Sequence, residues 1–222
     1  LTIQAQETDE LAKEKQRQKL ALSSSIAGDI GQLVLAENRA LSFAKLGRSL
    51  WESDQKRARG LFQDAVAELI AAQTAAEAAR KNGQHNELLT GQQTRPQLLE
   101  AIATRDAVFA LQSLYKTRPA AIQRAMLTSA AKDRKIGNSP GNDIHLRQAE
   151  ISLEQRFLRM AADQDPARAV ELLKKALKTG LASETLELLK KLHAKEPNTA
   201  NDLASDVVAQ LARKTFLIEG QL

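Results

Sequence analysis

The spacing of hydrophobic residues predicts helices along nearly the whole chain. Apolar positions recur at three- and four-residue intervals, and polar stretches containing glycine or proline separate one run from the next. This spacing is typical of helices that present one face to a core. It is clearest in the last run, where a single face carries small and aliphatic side chains at Ala200, Leu203, Ala204, Val207, Val208, Leu211, Ala212 and Thr215. The pattern predicts an all-α fold of about eight or nine helices.

A recurring phrase predicts where four of these helices begin. An acidic residue is followed four positions later by a small residue and then by apolar residues, in segments 54–58, 106–110, 165–169 and 196–200. The acid suits the N-cap, where its side chain accepts backbone N–H groups, and a proline after it suits the first helical position. The small residue lets a neighbouring helix approach closely. Repeated starts of this kind predict antiparallel helical hairpins stacked as a short, irregular α-solenoid.

The polar stretches predict the domain organisation. Residues 1–24 are predicted to form a polar N-terminal helix or flank, which the serines at 23–25 interrupt. Residues 25–222 are predicted to form a single helical-repeat domain. The loops predicted at 82–95 and 136–142 are candidate boundaries within it, because turn-forming residues cluster there.

Caps and prolines predict the bounds of the central helices. One helix is predicted from Asp29 to Ser53, with two apolar stripes. Pro96 is expected to open a helix that bends near Thr104 and ends around Tyr115. Further helices are predicted over residues 119–134 and 143–162.

The amino-acid composition limits the fold classes and the chemistry open to this chain. Aromatic residues make up 3% of the chain and apolar residues 43%, so alanine and leucine must supply the core, and a β-sheet is disfavoured. The absence of cysteine excludes disulfides and thiolate chemistry. No transmembrane segment is expected, because no apolar run approaches the ~18–20 residues of a membrane-spanning helix. Because the chain begins at Leu1 rather than at methionine, either it has been trimmed or a leader has been removed, and a removed leader would mean an exported or periplasmic location.

The search for catalytic motifs favours a protein without an active site. His85, His145 and His193 are too widely spaced to form a helical metal-ligand pair. Neither a nucleophile elbow nor a phosphate-binding loop is present in the sequence. We therefore expect no enzyme activity, no metal and no cofactor.

Positive charge is concentrated in one segment. Residues 116–135 hold six basic residues and one acidic residue, a surplus equal to the net charge of +5 of the whole chain. One interpretation is a solvated helix whose basic last turn complements the helix dipole; the other is a patch for an acidic partner. In both, the side chains are expected to reach solvent, chiefly at the two ends of a helix beginning at Pro119. The six residues are Lys116, Arg118, Arg124, Lys132, Arg134 and Lys135.

The chain resembles tetratricopeptide-like and related α-solenoid proteins, including divergent bacterial ones. The resemblance depends on Asp165-Pro166 and Glu196-Pro197, whose acids are separated by 31 residues, and on the helix lengths within residues 143–217. The Trp, Leu-Gly and Tyr positions of the tetratricopeptide motif are not matched. The resemblance implies a non-enzymatic scaffold or interaction module for a protein or peptide partner. The alternative is nucleic-acid or polyanion binding through residues 116–135.

Overall fold

Helices account for almost all of the described structure. A computed structural model describes residues 2–82, 88–127, 140–176 and 184–219. These ranges contain no strand, which confirms the predicted all-α class. In chain order, the helices within them are α1 (Thr2–Gly31), α2 (Ala36–Leu50), α3 (Gln55–Lys81), α4 (Leu88–Ala103), α5 (Ala107–Lys116), α6 (Ala120–Leu127), α7 (Pro140–Gln164), α8 (Pro166–Ala176), α9 (Glu184–Lys195) and α10 (Pro197–Glu219).

The chain divides into two compact units, residues 1–105 and 106–222. In unit 1, α2 and α3 form a hairpin, α4 packs against both of them, and α1 packs against α2. In unit 2, α7 is the central helix: α5, α6, α8 and α9 all contact it, and α10 packs on α9. The division falls between Arg105 and Asp106, outside the two loops that the sequence offered as boundaries.

The recurring phrase begins helices as predicted. The side chains of Asp54, Asp106 and Asp165 each accept a hydrogen bond from the backbone N–H three residues later, at 2.9, 3.0 and 3.1 Å. At Glu196, the backbone carbonyl accepts the N–H of Ala200 at 3.0 Å, which is the first intrahelical bond of α10. These bonds satisfy backbone donors that a helix start would otherwise leave without partners.

The small residue of the phrase lies at a packed position in all four copies. These residues, Ala58, Ala110, Ala169 and Ala200, are all buried. The closeness of packing is clearest in the α2–α3 hairpin, where a Cβ atom placed on Gly47 would lie 3.0 Å from the carbonyl oxygen of Ala58 and 2.7 Å from Cε1 of Phe62. The alanines therefore mark helix contacts, while the stacking of these helices as an α-solenoid stays a prediction.

The predicted break at serines 23–25 is wrong, because α1 continues through them to Gly31. The hydroxyl groups of Ser23 and Ser24 both donate to the carbonyl oxygen of Leu20, at 2.8 and 3.0 Å. Serine side chains that bond back to the preceding turn in this way are compatible with an unbroken helix.

The predicted helix from Asp29 to Ser53 is two elements in the structure. The end of α1 contains Asp29, and a turn at residues 32–35 precedes α2. The backbone N–H groups of Gln32 and Leu33 bond to the carbonyl groups three residues earlier, both at 3.1 Å, which tightens the chain into the turn. The Asp54 cap then begins α3 after a short connection.

Two proline-based helix starts differ from expectation. Pro96 lies inside α4, which already begins at Leu88, so part of the predicted loop 82–95 is helical. The residues before this proline belong to the packed unit, since Thr94 and Arg95 are buried, and that packing offsets the local preference for a break. In unit 2, α7 begins at Pro140 instead of Asp143, with proline at the first helical position.

The predicted bent helix from Pro96 to Tyr115 is also two helices. The first, α4, ends at Ala103, and Asp106 caps the start of α5. Residues 128–139 lie outside the described ranges. They include the end of the predicted helix 119–134 and the first part of the predicted loop 136–142.

We expect Gly47→Ala to destabilise unit 1. Alanine is the better helix former, but its Cβ would lie within 3 Å of the buried ring of Phe62, so the free energy of unfolding should fall by about 1–3 kcal/mol. Gly60→Ala is the matched control, because nothing lies within 4 Å of its Cβ position in α3. That variant should gain roughly 0.5–1 kcal/mol. Urea unfolding followed by the fluorescence of Trp51, which stacks on Phe62, measures both; equal gains in the two variants would contradict the close approach.

We also expect Ala169→Leu to destabilise unit 2. Ala169 is fully buried at the start of α8, which packs against α7, so added methyl groups should cost about 1–3 kcal/mol. Ala167→Leu in the same helical turn is the control, because Ala167 is exposed. Thermal unfolding followed by circular dichroism should separate the two variants, and similar midpoints would show that Ala169 is not a packing position.

Candidate interaction surface

Only some of the basic residues that were predicted to reach solvent do so in the described part of the chain. Lys116 at the end of α5 and Arg124 on α6 are exposed, as predicted. Arg118 is not: 13% of its side chain is exposed, and it is ion-paired inside unit 2. The remaining three residues of the proposed patch, Lys132, Arg134 and Lys135, lie outside the described residues.

Arg118 belongs to a buried charge cluster formed with Tyr115, Glu150 and Glu154. The two glutamates are one turn apart on α7, and 1% of each side chain is exposed. Nε of Arg118 donates to Oε1 of Glu150 at 2.8 Å, and its Nη2 lies 3.9 Å from Oε2 of Glu154. The hydroxyl of Tyr115 donates to the other oxygen of Glu154 at 2.5 Å. The cluster therefore fastens the α5–α6 connection to the central helix.

The environment of Tyr115 suits a structural hydrogen-bond donor. Burial raises the pKa of its phenol far above the ordinary value, and the negative charge of Glu154 together with their hydrogen bond raises it further. The guanidinium carbon of Arg118 also lies 5.3 Å from the centre of the tyrosine ring, within cation–π range. The phenol consequently keeps its proton through the neutral range and remains a donor to Glu154.

The two histidines within the described ranges lie on separate helices. His145 and His193 are exposed on different helices, and His85 lies outside the described residues. Among the residues that the structure describes, no group of three or more potential metal ligands is present.

Unit 1 exposes an apolar surface that the sequence analysis missed. We define the apolar surface as Leu22 and Ile26 near the end of α1 together with Leu33, Val34 and Leu35 in the turn that follows. Their exposed fractions range from 38% at Ile26 to 91% at Val34. Single exposed aliphatic residues are normal in folded proteins, but several close together are characteristic of binding sites.

An arginine on α2 holds the turn that carries this surface. Nη1 of Arg39 donates to the carbonyl oxygens of Leu33 and Val34, at 2.6 and 3.0 Å. The same guanidinium pairs with Glu68 on α3, with Nε donating to Oε2 at 2.9 Å. The turn is thereby tied to both helices of the hairpin, so the apolar side chains are presented on a fixed backbone.

The prediction of one helix from Asp29 to Ser53 explains why this surface was missed. In that helix, Leu33 and Leu35 belonged to two apolar stripes packed on both sides. The available signal was Gly31, since glycine is common where helices end, followed by three consecutive aliphatic residues that no single helical face could bury.

Comparisons with protein-family models, curated proteins and solved structures found no match to this chain. The resemblance to tetratricopeptide-like and other α-solenoid proteins therefore stays a prediction. No helix within the described ranges has the length and hydrophobicity needed to span a membrane.

We expect Arg118→Met to destabilise unit 2 by about 3–5 kcal/mol, because it leaves two buried carboxyl groups without their shared guanidinium. Lys116→Met removes the same charge two residues earlier at an exposed position and should change stability by less than about 0.5 kcal/mol. Adding Glu150→Gln to the Arg118→Met chain should recover part of the loss. Urea unfolding followed by circular dichroism measures all three variants. Equal stability of the two methionine variants would show that Arg118 contributes only as a surface charge.

Proposed function

We propose that this chain is a non-enzymatic protein-interaction module and that the apolar surface of unit 1 is where it binds a protein or peptide. The observation that carries the proposal is the exposure of five large aliphatic side chains within residues 22–35. Covering apolar area contributes roughly 25 cal/mol per Å². A partner that covered these side chains would therefore gain a substantial driving force.

The fixed backbone of the turn supports this function. Binding to a mobile loop costs conformational entropy, because the loop must be ordered in the complex. Here the carbonyl groups of Leu33 and Val34 are already held by Arg39, which Glu68 positions. Since the surface is ordered before a partner arrives, more of the apolar contact is available as affinity.

The alternative of nucleic-acid or polyanion binding through residues 116–135 has less support. Its charge surplus includes Arg118, whose guanidinium is engaged by Glu150 in the interior of unit 2. Removing one of the six basic residues from the patch weakens the attraction for phosphate groups, each of which needs an accessible cation. Retention on heparin at low salt that is lost in Lys116→Glu and Arg124→Glu chains would restore this alternative.

Site-specific crosslinking tests the interaction function. A photo-reactive amino acid placed at Val34 should yield crosslinked protein adducts in cells that express the chain, because this side chain is the most exposed of the surface. The control position is Gln63, which is exposed on α3 outside the apolar surface. Leu22→Ser combined with Ile26→Ser should reduce the Val34 adducts about tenfold without unfolding the chain. Absence of adducts at Val34, or the same adducts at Gln63, would refute the proposal.

A further inference from the structure

Helix α1 has two faces with different surroundings. The inner face, formed by Gln16, Leu20, Ser23, Ala27 and Ile30, is turned toward unit 1, and its members are buried or half-buried. Nε2 of Gln16 donates to the carbonyl oxygen of Ser53 at 3.1 Å, and Arg57 of α3 donates to that of Leu20 at 3.3 Å. Ser24, next to this face, accepts a hydrogen bond from the same guanidinium at 2.5 Å. The helix is thus already anchored along one side.

A neighbouring side of the helix, about 120° around from the inner face, carries a second row of residues at helical spacing. We define the outer stripe as the seven residues of this row, all of them exposed: Leu11, Lys15, Gln18, Leu22, Ile26, Asp29 and Leu33. At 100° per residue the six members within α1 stay within a narrow sector of the helix surface, and Leu33 lies two residues past the helix end, in the turn. The stripe is therefore one continuous strip of surface along α1 that unit 1 leaves uncovered.

The outer stripe has a symmetric spacing. Moving from Leu22 toward the N-terminus, its members follow after four, three and four residues; moving toward the C-terminus, they again follow after four, three and four residues. Reversing the direction of the helix about Leu22 therefore superimposes the members from Lys15 to Asp29 on one another and matches Leu11 to the sequence position of Leu33. A surface of this kind can contact a second copy of itself across a two-fold axis.

The residue types of the outer stripe are complementary across this two-fold axis. We propose that α1 pairs antiparallel with α1 of a second copy of this chain, with the two-fold axis at Leu22. The two Leu22 side chains then meet at the centre, and Leu11 of each copy lies opposite Leu33 of the other. Between them, Lys15 of each copy lies opposite Asp29 of the other, and Gln18 lies opposite Ile26. Each copy thus contributes aliphatic contacts at the centre and at both ends, separated by two ion pairs.

The charges of the outer stripe favour the antiparallel pair over a parallel one. A parallel pair in register would place Lys15 against Lys15 and Asp29 against Asp29, and opposed like charges at an interface are unfavourable. The antiparallel pair converts all four of these charges into two ion pairs. Within the described part of the chain neither Lys15 nor Asp29 is engaged in an ion pair, so both are available for this contact. Along α1 itself, from Leu11 to Asp29, the contact extends over roughly 27 Å, at 1.5 Å per residue.

This inference rests on the proposed interaction function and names its partner as a second copy of the chain. It uses Leu22, Ile26 and Leu33 of the apolar surface. Val34 and Leu35 lie beyond the stripe, at the two ends of the pair.

Charge reversal tests the pairing with the full-length chain. Analytical ultracentrifugation over about 1 to 100 µM should show a reversible dimer. Lys15→Glu alone and Asp29→Lys alone should each weaken it by at least about tenfold, because each places two like-charged pairs in the interface. An equimolar mixture of these two variants should dimerise again, since each ion pair can then form between the different chains. Lys45→Glu, which makes the same charge change at an exposed site on α2, should leave the dimer unchanged.

Engineered cysteines test the two-fold axis directly, because the natural sequence has none. Leu22→Cys should form an intermolecular disulfide under mild oxidation, since the two Cβ atoms meet near the axis. Leu11→Cys alone should stay reduced, because its copies lie roughly 33 Å apart in the pair. Mixing Leu11→Cys with Leu33→Cys should give a disulfide between the two variants.

The outcomes separate this inference from the proposed function. A monomer at every concentration, or a dimer indifferent to both charge reversals, overturns the pairing. If such a monomer still gives Val34 adducts with a different protein, the interaction function stands and only the second copy is wrong. A monomer without Val34 adducts overturns both.

Discussion

The fold of unit 1 depends on the close approach of helices at small side chains. With 3% aromatic residues, the chain cannot fill wide gaps between helices with large rings, so its helices must come near one another to exclude water. Gly47 and Ala58 allow this in the α2–α3 hairpin, where the ring of Phe62 fills the space next to the missing Cβ. The stacking of Trp51 on Phe62, with ring centres 5.8 Å apart, extends the same contact toward the connection between the two helices. The acid that begins α3 fixes the register in which Ala58 reaches this position.

Features encoded within a single helical turn could be predicted from the sequence. An N-cap acid acts on the backbone three residues away, so Asp54, Asp106 and Asp165 could be recognised without knowledge of the fold. Burial of the alanine one turn later followed from the same local phrase. The serines at 23–25 show the limit of this reasoning, because Arg57 from another helix bonds to Leu20 and to Ser24 there. Tertiary contacts decided these elements, and the spacing of residues in one helix does not reveal them.

The same limit explains why the sequence analysis placed Arg118 on the surface and missed the apolar surface of unit 1. Counting charges placed Arg118 in a basic surface segment, but the residues that neutralise it lie 32 and 36 positions further along the chain, on α7. Nothing near Arg118 in the sequence signals those glutamates. For the apolar surface, the hydrophobic pattern identified Leu33 and Leu35 as apolar positions but assigned them to a packed helix. Exposure is a property of the fold, and it became visible only once the turn at residues 32–35 separated α1 from α2.

Helix α1 contacts the rest of unit 1 through its inner face and carries the proposed pairing surface on its outer stripe. Its inner face combines the apolar side chains of Leu20, Ala27 and Ile30 with polar contacts in which Gln16 bonds to Ser53 and Arg57 of α3 bonds to Leu20. Polar contacts of this kind add only modest net stability, because they replace hydrogen bonds to water. A helix of 30 residues anchored in this way gains substantially from covering the aliphatic residues on its other side. Binding at the outer stripe stabilises the helical state by mass action, since the partner recognises the residues only when they share one face. The order of α1 and the occupancy of the stripe are therefore coupled: a chain that loses the inner contact of Arg57 with Leu20 should also bind its partner more weakly, although Arg57 lies on α3, away from the stripe.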